Sequence, residues 1–232
     1  MPRTSRLPPS TQRAAPSGRA RLQAALGALA LGAFLAGCAG NAGTVADIRY
    51  DLGLQSAQRE QAAQGVPAAP AALAASGAKP PLKVLGVIAP PPLDNDGILY
   101  RMNFDSQRMA RYANSRWTMS PARLLTERLR TSLGAQATVL SGSDAVQAPL
   151  LKVELYEFEQ VFESPTESSG VLSARATLLQ GGKVLAQRSF VTRAPASTPD
   201  AAGGVRALQT ASDDFANQLG AWLSAQSFAG TP

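Results

Sequence analysis

The chain has 232 residues, a single cysteine and no histidine. The missing imidazole excludes histidine metal ligands, histidine general bases and Ser–His or Cys–His catalytic pairs, and one cysteine allows no internal disulfide. The formal charge of +6 suggests a nucleic-acid partner, but Arg3, Arg6, Arg13, Arg19 and Arg21 precede every acidic residue. Without residues 1–37 the chain carries 17 basic against 16 acidic groups, so no nucleic-acid partner is expected.

Residues 1–21 are polar and basic, and residues 22–34 (LQAALGALALGAF) form an apolar run broken only by Gln23. Leu35, Ala36, Gly37 and Cys38 follow. A basic segment, an apolar run and small residues at the cut describe a secretory signal. The run is shorter than the roughly 20 residues of a permanent span. No adjacent arginine pair occurs, which favours Sec export over the twin-arginine route. Leu35-Ala36-Gly37-Cys38 resembles the lipobox of bacterial lipoproteins, with Cys38 as the lipidation site. Its thiol would carry diacylglycerol and its new amino group an acyl chain such as palmitate. Several chains, at about 0.8 kcal/mol per buried CH₂, hold a protein firmly to a membrane. Ala39 stands where an Asp would signal inner-membrane retention, so the outer membrane is the expected address. Beyond these covalent lipids no cofactor is expected.

The mature chain divides into a tether at 38–47, a domain at 48–226 and a tail at 227–232. Residues 48–54 alternate apolar and polar side chains and predict a first strand. Residues 55–81 are rich in Ala, Gln, Gly and Pro; 55–64 can be helical, and the rest reads as a flexible insert unable to bury a core. Residues 82–88 predict a largely buried strand, stopped by Pro90-Pro91-Pro92. Residues 98–103 and 108–112 flank a predicted hairpin turn, with Ile98, Tyr100 and Met102 on one face and Leu99, Arg101 and Asn103 on the other.

Ser120 and Pro121 start a helix, Leu124, Leu125, Leu129 and Leu133 form its apolar stripe, and Gly134 ends it. Arg123, Arg128 and Arg130 read as a solvated face partly compensated by Glu127. A short strand follows at 137–140. In 151–162 the alternation changes phase, which predicts a bulge near Leu155 and Tyr156 or a strand covered on both sides. Residues 172–179 and 184–192 are joined by Gln180-Gly181-Gly182-Lys183, a hairpin signal. Val205, Leu208, Ser212, Phe215, Leu219 and Trp222 form the stripe of a last amphipathic helix expected to dock on the sheet. The order gives one mixed α/β domain, a mostly antiparallel sheet covered by two helices.

No phosphate loop, dinucleotide fingerprint or nucleophile elbow occurs. Asp94 and Asp96 read as turn chemistry beside Asn95 and Gly97, and Asp213 and Asp214 as solvated charge, rather than as acid–base or calcium sites. Nothing in the spacing suggests a Ser–Lys dyad. No catalytic and no metal site is expected.

Several separated motifs carry a resemblance: Tyr50-Asp51-Leu52-Gly53 soon after the lipobox, Ala89-Pro90-Pro91-Pro92-Leu93-Asp94 leading to Ile98-Leu99-Tyr100-Arg101, and Tyr112-Ala113-Asn114-Ser115-Arg116-Trp117 before the helix at 121–133. Over residues 48–225 the chain resembles the ABC-type transport auxiliary lipoproteins, the PqiC-like family. The resemblance implies a small α/β fold like the N-terminal domain of TolB. It implies a non-catalytic lipoprotein on the periplasmic face of the outer membrane, serving an MCE-type (Mla-like) ABC lipid-transport system whose ATPase is another subunit. Its expected partners are the membrane and a periplasmic MCE-domain protein; a homo-oligomer is compatible with the sequence. Tyr100, Arg101, Arg116 and Trp117 lie in the best-matching stretches and are the expected partner-binding residues. The alternatives are a regulatory lipoprotein that binds a cell-wall synthase or another envelope complex, and a lipid-anchored hydrolase.

Overall fold

The computed structural model describes residues 46–55, 58, 63, 79–102 and 107–226, all within one compact unit, Ala46–Pro232. Leu35, Ala36, Gly37, Cys38, most of the 55–81 insert and the 227–232 tail lie outside the described residues. The described elements are β1 (Ile48–Tyr50), β2 (Pro81–Val84), β3 (Gly97–Met102), β4 (Met109–Trp117), α1 (Pro121–Leu133), β5 (Thr138–Leu140), β6 (Leu150–Phe162), β7 (Ser168–Gln180), β8 (Lys183–Pro195) and α2 (Ala201–Ser224).

The longest ladders of the sheet come from the longest alternating stretches. Strands β6, β7 and β8 form two antiparallel ladders, each with one register slip. On the other side of β6, β2 and β3 lie end to end and run parallel to it. Lys83 and Val84 pair with Leu150 and Leu151, Ile88 bridges Glu154, and Leu99–Met102 pair with Glu159–Phe162. Beyond β2 lies β5, and beyond β3 lie β4 and then β1, so β1 and β8 are opposite edges. The long ladders are antiparallel; β1–β4, β2–β5, β2–β6 and β3–β6 are short and parallel.

Both helices cover one face. Buried Leu125, Leu129 and Leu133 of α1 and Val205, Leu208, Phe215 and Leu219 of α2 meet Leu151, Val153, Leu155, Phe158, Leu172, Ala176 and Phe190 of the sheet. At Gly170 an added Cβ would lie 2.5 Å from the Leu208 nitrogen, so the α2 backbone rests directly on β7. Among the described residues the other sheet face carries no helix. Over β3 it is partly covered by the Pro91–Leu93 helical turn, which buries Leu93 and Leu99.

The predicted bulge is present: pairing of β6 with β7 slips between Leu155 and Glu157, leaving Tyr156 as the extra residue. This returns Phe158 and Phe162 to the helix face and explains the change of phase. The β7–β8 turn uses Gly181 and Gly182 at φ +55° and +81°, the two left-handed positions of a type I′ hairpin.

Four expectations need correction. The first strand ends at Tyr50 rather than Leu54, because Asp51 Oδ1 accepts from Gly53 N at 2.7 Å and Gly53 turns the chain at φ +59°. The second ends at Val84 rather than Ile88; Gly86 and Ile88 are exposed. Gly134 ends α1 in right-handed geometry (φ −58°), with its N–H bonded to Arg130 O, not in a left-handed cap. Ser120 sits at the N-cap of α1, but its hydroxyl makes no cap bond.

Candidate functional site

The edge where the tether enters the domain is built from charge. β1 pairs with the end of β4, placing Arg49 beside Arg116 and Tyr50 beside Trp117. Arg49 Nη1 donates to Asp96 Oδ2 at 2.6 Å and to Trp117 O at 3.1 Å; Arg116 Nε donates to Asp47 Oδ2 at 2.8 Å and its Nη1 lies 3.9 Å from Asp96 Oδ1. The hydrogen bond from Arg49 holds the Asp96 carboxyl below its ordinary range, and the Arg49 and Arg116 charges add to it. Asn95 shapes this turn as expected: its Nδ2 donates to Pro91 O and Pro92 O, and its Oδ1 accepts from Gly97 N.

Tyr100 and Arg101 are neighbours in β3 and so point to opposite faces. Tyr100 lies on the helix side, its ring centroid 4.8 Å from Tyr112 and 6.0 Å from Phe162. Tyr112 OH donates to the buried Gln160 Oε1 at 2.8 Å, and Gln160 Nε2 donates to Ser168 Oγ at 2.7 Å. Burial pushes the Tyr112 phenol upward, so it stays a proton donor. Arg101 lies on the open side and grips the buried Glu159 carboxylate with Nε at 2.7 Å and Nη2 at 3.4 Å. It borders a cleft of about 100 Å³ that also involves Pro90, Pro92, Met109 and Tyr156.

Trp117 is 0% exposed, packs 5.6 Å from the Phe158 ring centroid, and its Nε1 finds no partner among the described residues. The four expected partner-binding residues therefore do not form one patch. Tyr100 faces the helix layer, Arg101 the open face and Arg116 the β1–β4 edge, while Trp117 is core.

The most tightly organised polar group lies where the charge pattern predicts a solvated face, and it is buried instead. Arg128 is buried and paired with Asp213 of α2, which is also buried. Its Nη2 donates to Leu52 O and, at 2.9 Å, to Gly53 O. Gln55 Nε2 returns a bond to Arg128 O at 2.9 Å, and Gln209 Nε2 reaches Leu54 O at 3.0 Å. One guanidinium thus ties α1, α2 and the Leu52-Gly53 turn together. Helical spacing carried the signal: at about 100° per residue, position 128 falls between positions 124 and 125, inside the leucine stripe. Arg123 and Arg130 fall outside that stripe. Arg123 and Asp214 are exposed as expected, and Arg130 is partly exposed, near Glu127 at 3.4 Å.

Among the described residues no group of carboxylates and thiols is arranged to hold a metal, and no helix is long and apolar enough to cross a membrane.

A family model described as the ABC-type transport auxiliary lipoprotein component matches residues 64–220. The fold is similar to a solved protein of Xanthomonas campestris, with 19% identity, a TM-score of 0.56 and coverage of 64% of this chain and 88% of that one. A second solved structure, of an uncharacterized protein, shares 15% identity and a TM-score of 0.59, covering 77% of this chain and 99% of that chain. No curated protein matches the sequence. The match begins after the Tyr50-Asp51-Leu52-Gly53 motif and spans β2 to most of α2, well over half of the chain. The chain belongs to the ABC-type transport auxiliary lipoprotein family.

Proposed function

We propose that this lipoprotein is the non-catalytic accessory of an MCE-type, Mla-like ABC lipid-transport system. It is anchored by acylated Cys38 in the outer membrane, faces the periplasm and docks a periplasmic MCE-domain protein. The family match over residues 64–220 is the observation that carries the reading. Two features support it. The tether from Cys38 to Ile48 spans at most about 33–36 Å when fully extended, so the β1 edge stays near the membrane that holds the lipid. The buried polar residues Arg128, Asp213, Gln160 and Glu159 are bonded to one another or to the scaffold, which suits a docking domain.

Docking falls to the β3–β4 hairpin and the adjoining β1–β4 edge, where Arg101 and Arg116 are partly exposed. Tyr100 and Trp117 support that surface from the helix side and from within. Affinity isolation of the full-length chain from detergent-solubilised envelopes tests the reading. An MCE-domain protein, with its permease and ATPase, should co-purify. Arg116→Ala should weaken this capture and leave the thermal midpoint nearly unchanged. Arg101→Ala alone would strand the buried Glu159, so it is paired with Glu159→Gln. Recovery of a cell-wall synthase in place of transporter subunits would overturn the proposal.

A further inference from the structure

The β7–β8 hairpin, Ser168–Pro195, contains four cations and no carboxylate: Arg175, Lys183, Arg188 and Arg193. Arg193 is paired at 2.5 Å with Glu163, outside the hairpin. Arg188 lies over the Phe190 ring at 5.0 Å and Arg175 over the Tyr156 ring at 5.5 Å; Arg175 stands opposite Glu154 across the β6–β7 ladder, whereas Arg188 stands opposite Ala176. The outer strand of this hairpin is 13 residues long, and among the described residues its outer edge pairs with nothing. It also carries three of the most exposed large apolar side chains: Val184, Leu185 and Val191, the last 66% exposed.

An unpaired edge offers a row of backbone donors and acceptors to an added strand. Its charge decides which strand. A second copy would bring Lys183, Arg188 and Arg193 against the same cations, and like charges across a ladder are destabilising. A strand alternating apolar and acidic residues would meet Val191 on one face with its apolar side chains and Lys183 and Arg188 on the other face with its carboxylates; Arg193, on the face of Val191, keeps its pairing with Glu163. β8 is also the edge opposite β1, the strand that follows the tether, so an incoming segment meets no competition from the chain's own anchor.

We infer that β8 is a strand-addition site for an extended acidic–apolar segment of a partner protein. This does not depend on the transporter reading, because the test needs only the purified chain and a peptide. The full-length lipidated chain in detergent is titrated with a synthetic peptide about as long as β8 that alternates valine and glutamate. A control carries lysine in place of glutamate. Binding is followed by heat of titration and by amide hydrogen exchange.

The glutamate peptide should protect the amides of Lys183–Pro195, bind at least about tenfold more tightly than the lysine peptide, and weaken as salt is raised. Lys183→Glu with Arg188→Glu should reverse the preference. Val191→Glu, at a side chain exposed on the open face, should weaken the glutamate peptide without touching the backbone or the core. Equal affinity for the two peptides would overturn the inference, as would protection lying elsewhere or no protection of β8 at saturating peptide. Protection of β8 that rises with protein concentration alone would assign the edge to a second copy and overturn it equally.

Discussion

Arg128–Asp213 and Arg49–Asp96 are built from the same two side chains and do different work. The first pair is 3% and 8% exposed, at the junction of two helices and a turn; the second is 50% and 40% exposed, on a sheet edge. A buried guanidinium must be satisfied completely, and here a carboxylate and two carbonyls surround it. An exposed pair competes with water and salt and fixes direction more than it stabilises. The helix-side arginine therefore holds the domain together, whereas the edge arginines set how the tethered end meets the sheet.

Breaking the buried member should have the largest effect. Arg128→Met leaves Asp213 buried beside an apolar chain and frees the Leu52 and Gly53 carbonyls. A loss of about 3–5 kcal/mol is expected in denaturant unfolding. Adding Asp213→Leu should recover part of it, because the buried carboxylate is removed along with its guanidinium. If Arg128→Met alone were nearly neutral, the clamp between the helices and the turn would not exist.

A smaller effect is expected at the start of α2. Asp200 Oδ1 accepts from Gly203 N at 2.7 Å, and this bond, with help from Thr198, lowers the Asp200 carboxyl below its ordinary value. Asp200→Ala should cost about 1 kcal/mol. A lowered carboxylate contributes fully above its unfolded value of about 3.9 and loses that contribution as pH falls through the folded value. The gap between wild type and Asp200→Ala should thus be constant near neutrality and close below about pH 4. A gap that widens in acid would give the group the wrong sign.

The smallest effect belongs to the exposed pair. Arg49→Ala or Asp96→Ala should cost about 0.2–1 kcal/mol, and raising salt should shrink the difference further. A loss as large as that at Arg128 would erase the contrast between the two regions.

The elements that depend on local periodicity and turn chemistry were legible in the sequence. The Gly181-Gly182 turn, the slip at Tyr156 and the α2 stripe from Val205 to Trp222 all follow from residue type and spacing. What depends on distant partners was not. No local pattern tells that β2 and β3 share one side of β6. Trp117 has the residue type of an interface anchor, and only packing against Phe158 makes it core. Arg128 is different: its helical position placed it among leucines, but its charge argued for solvent. Helical geometry, not residue type, decides its environment. The Asp213 partner could not be found from spacing alone, since it lies 85 residues away.

We propose that an acylated, non-catalytic domain serves lipid transport between the membranes. The most direct measurement is the transfer of radiolabelled phospholipid between inner and outer membranes of cells lacking the chain and of cells complemented with variants. Loss of the chain should slow transfer. The wild type should restore it, as should variants at the exposed carboxylates Asp94 and Asp214, and Cys38→Ala should not. Normal transfer without the chain, or full rescue by Cys38→Ala, would contradict the account.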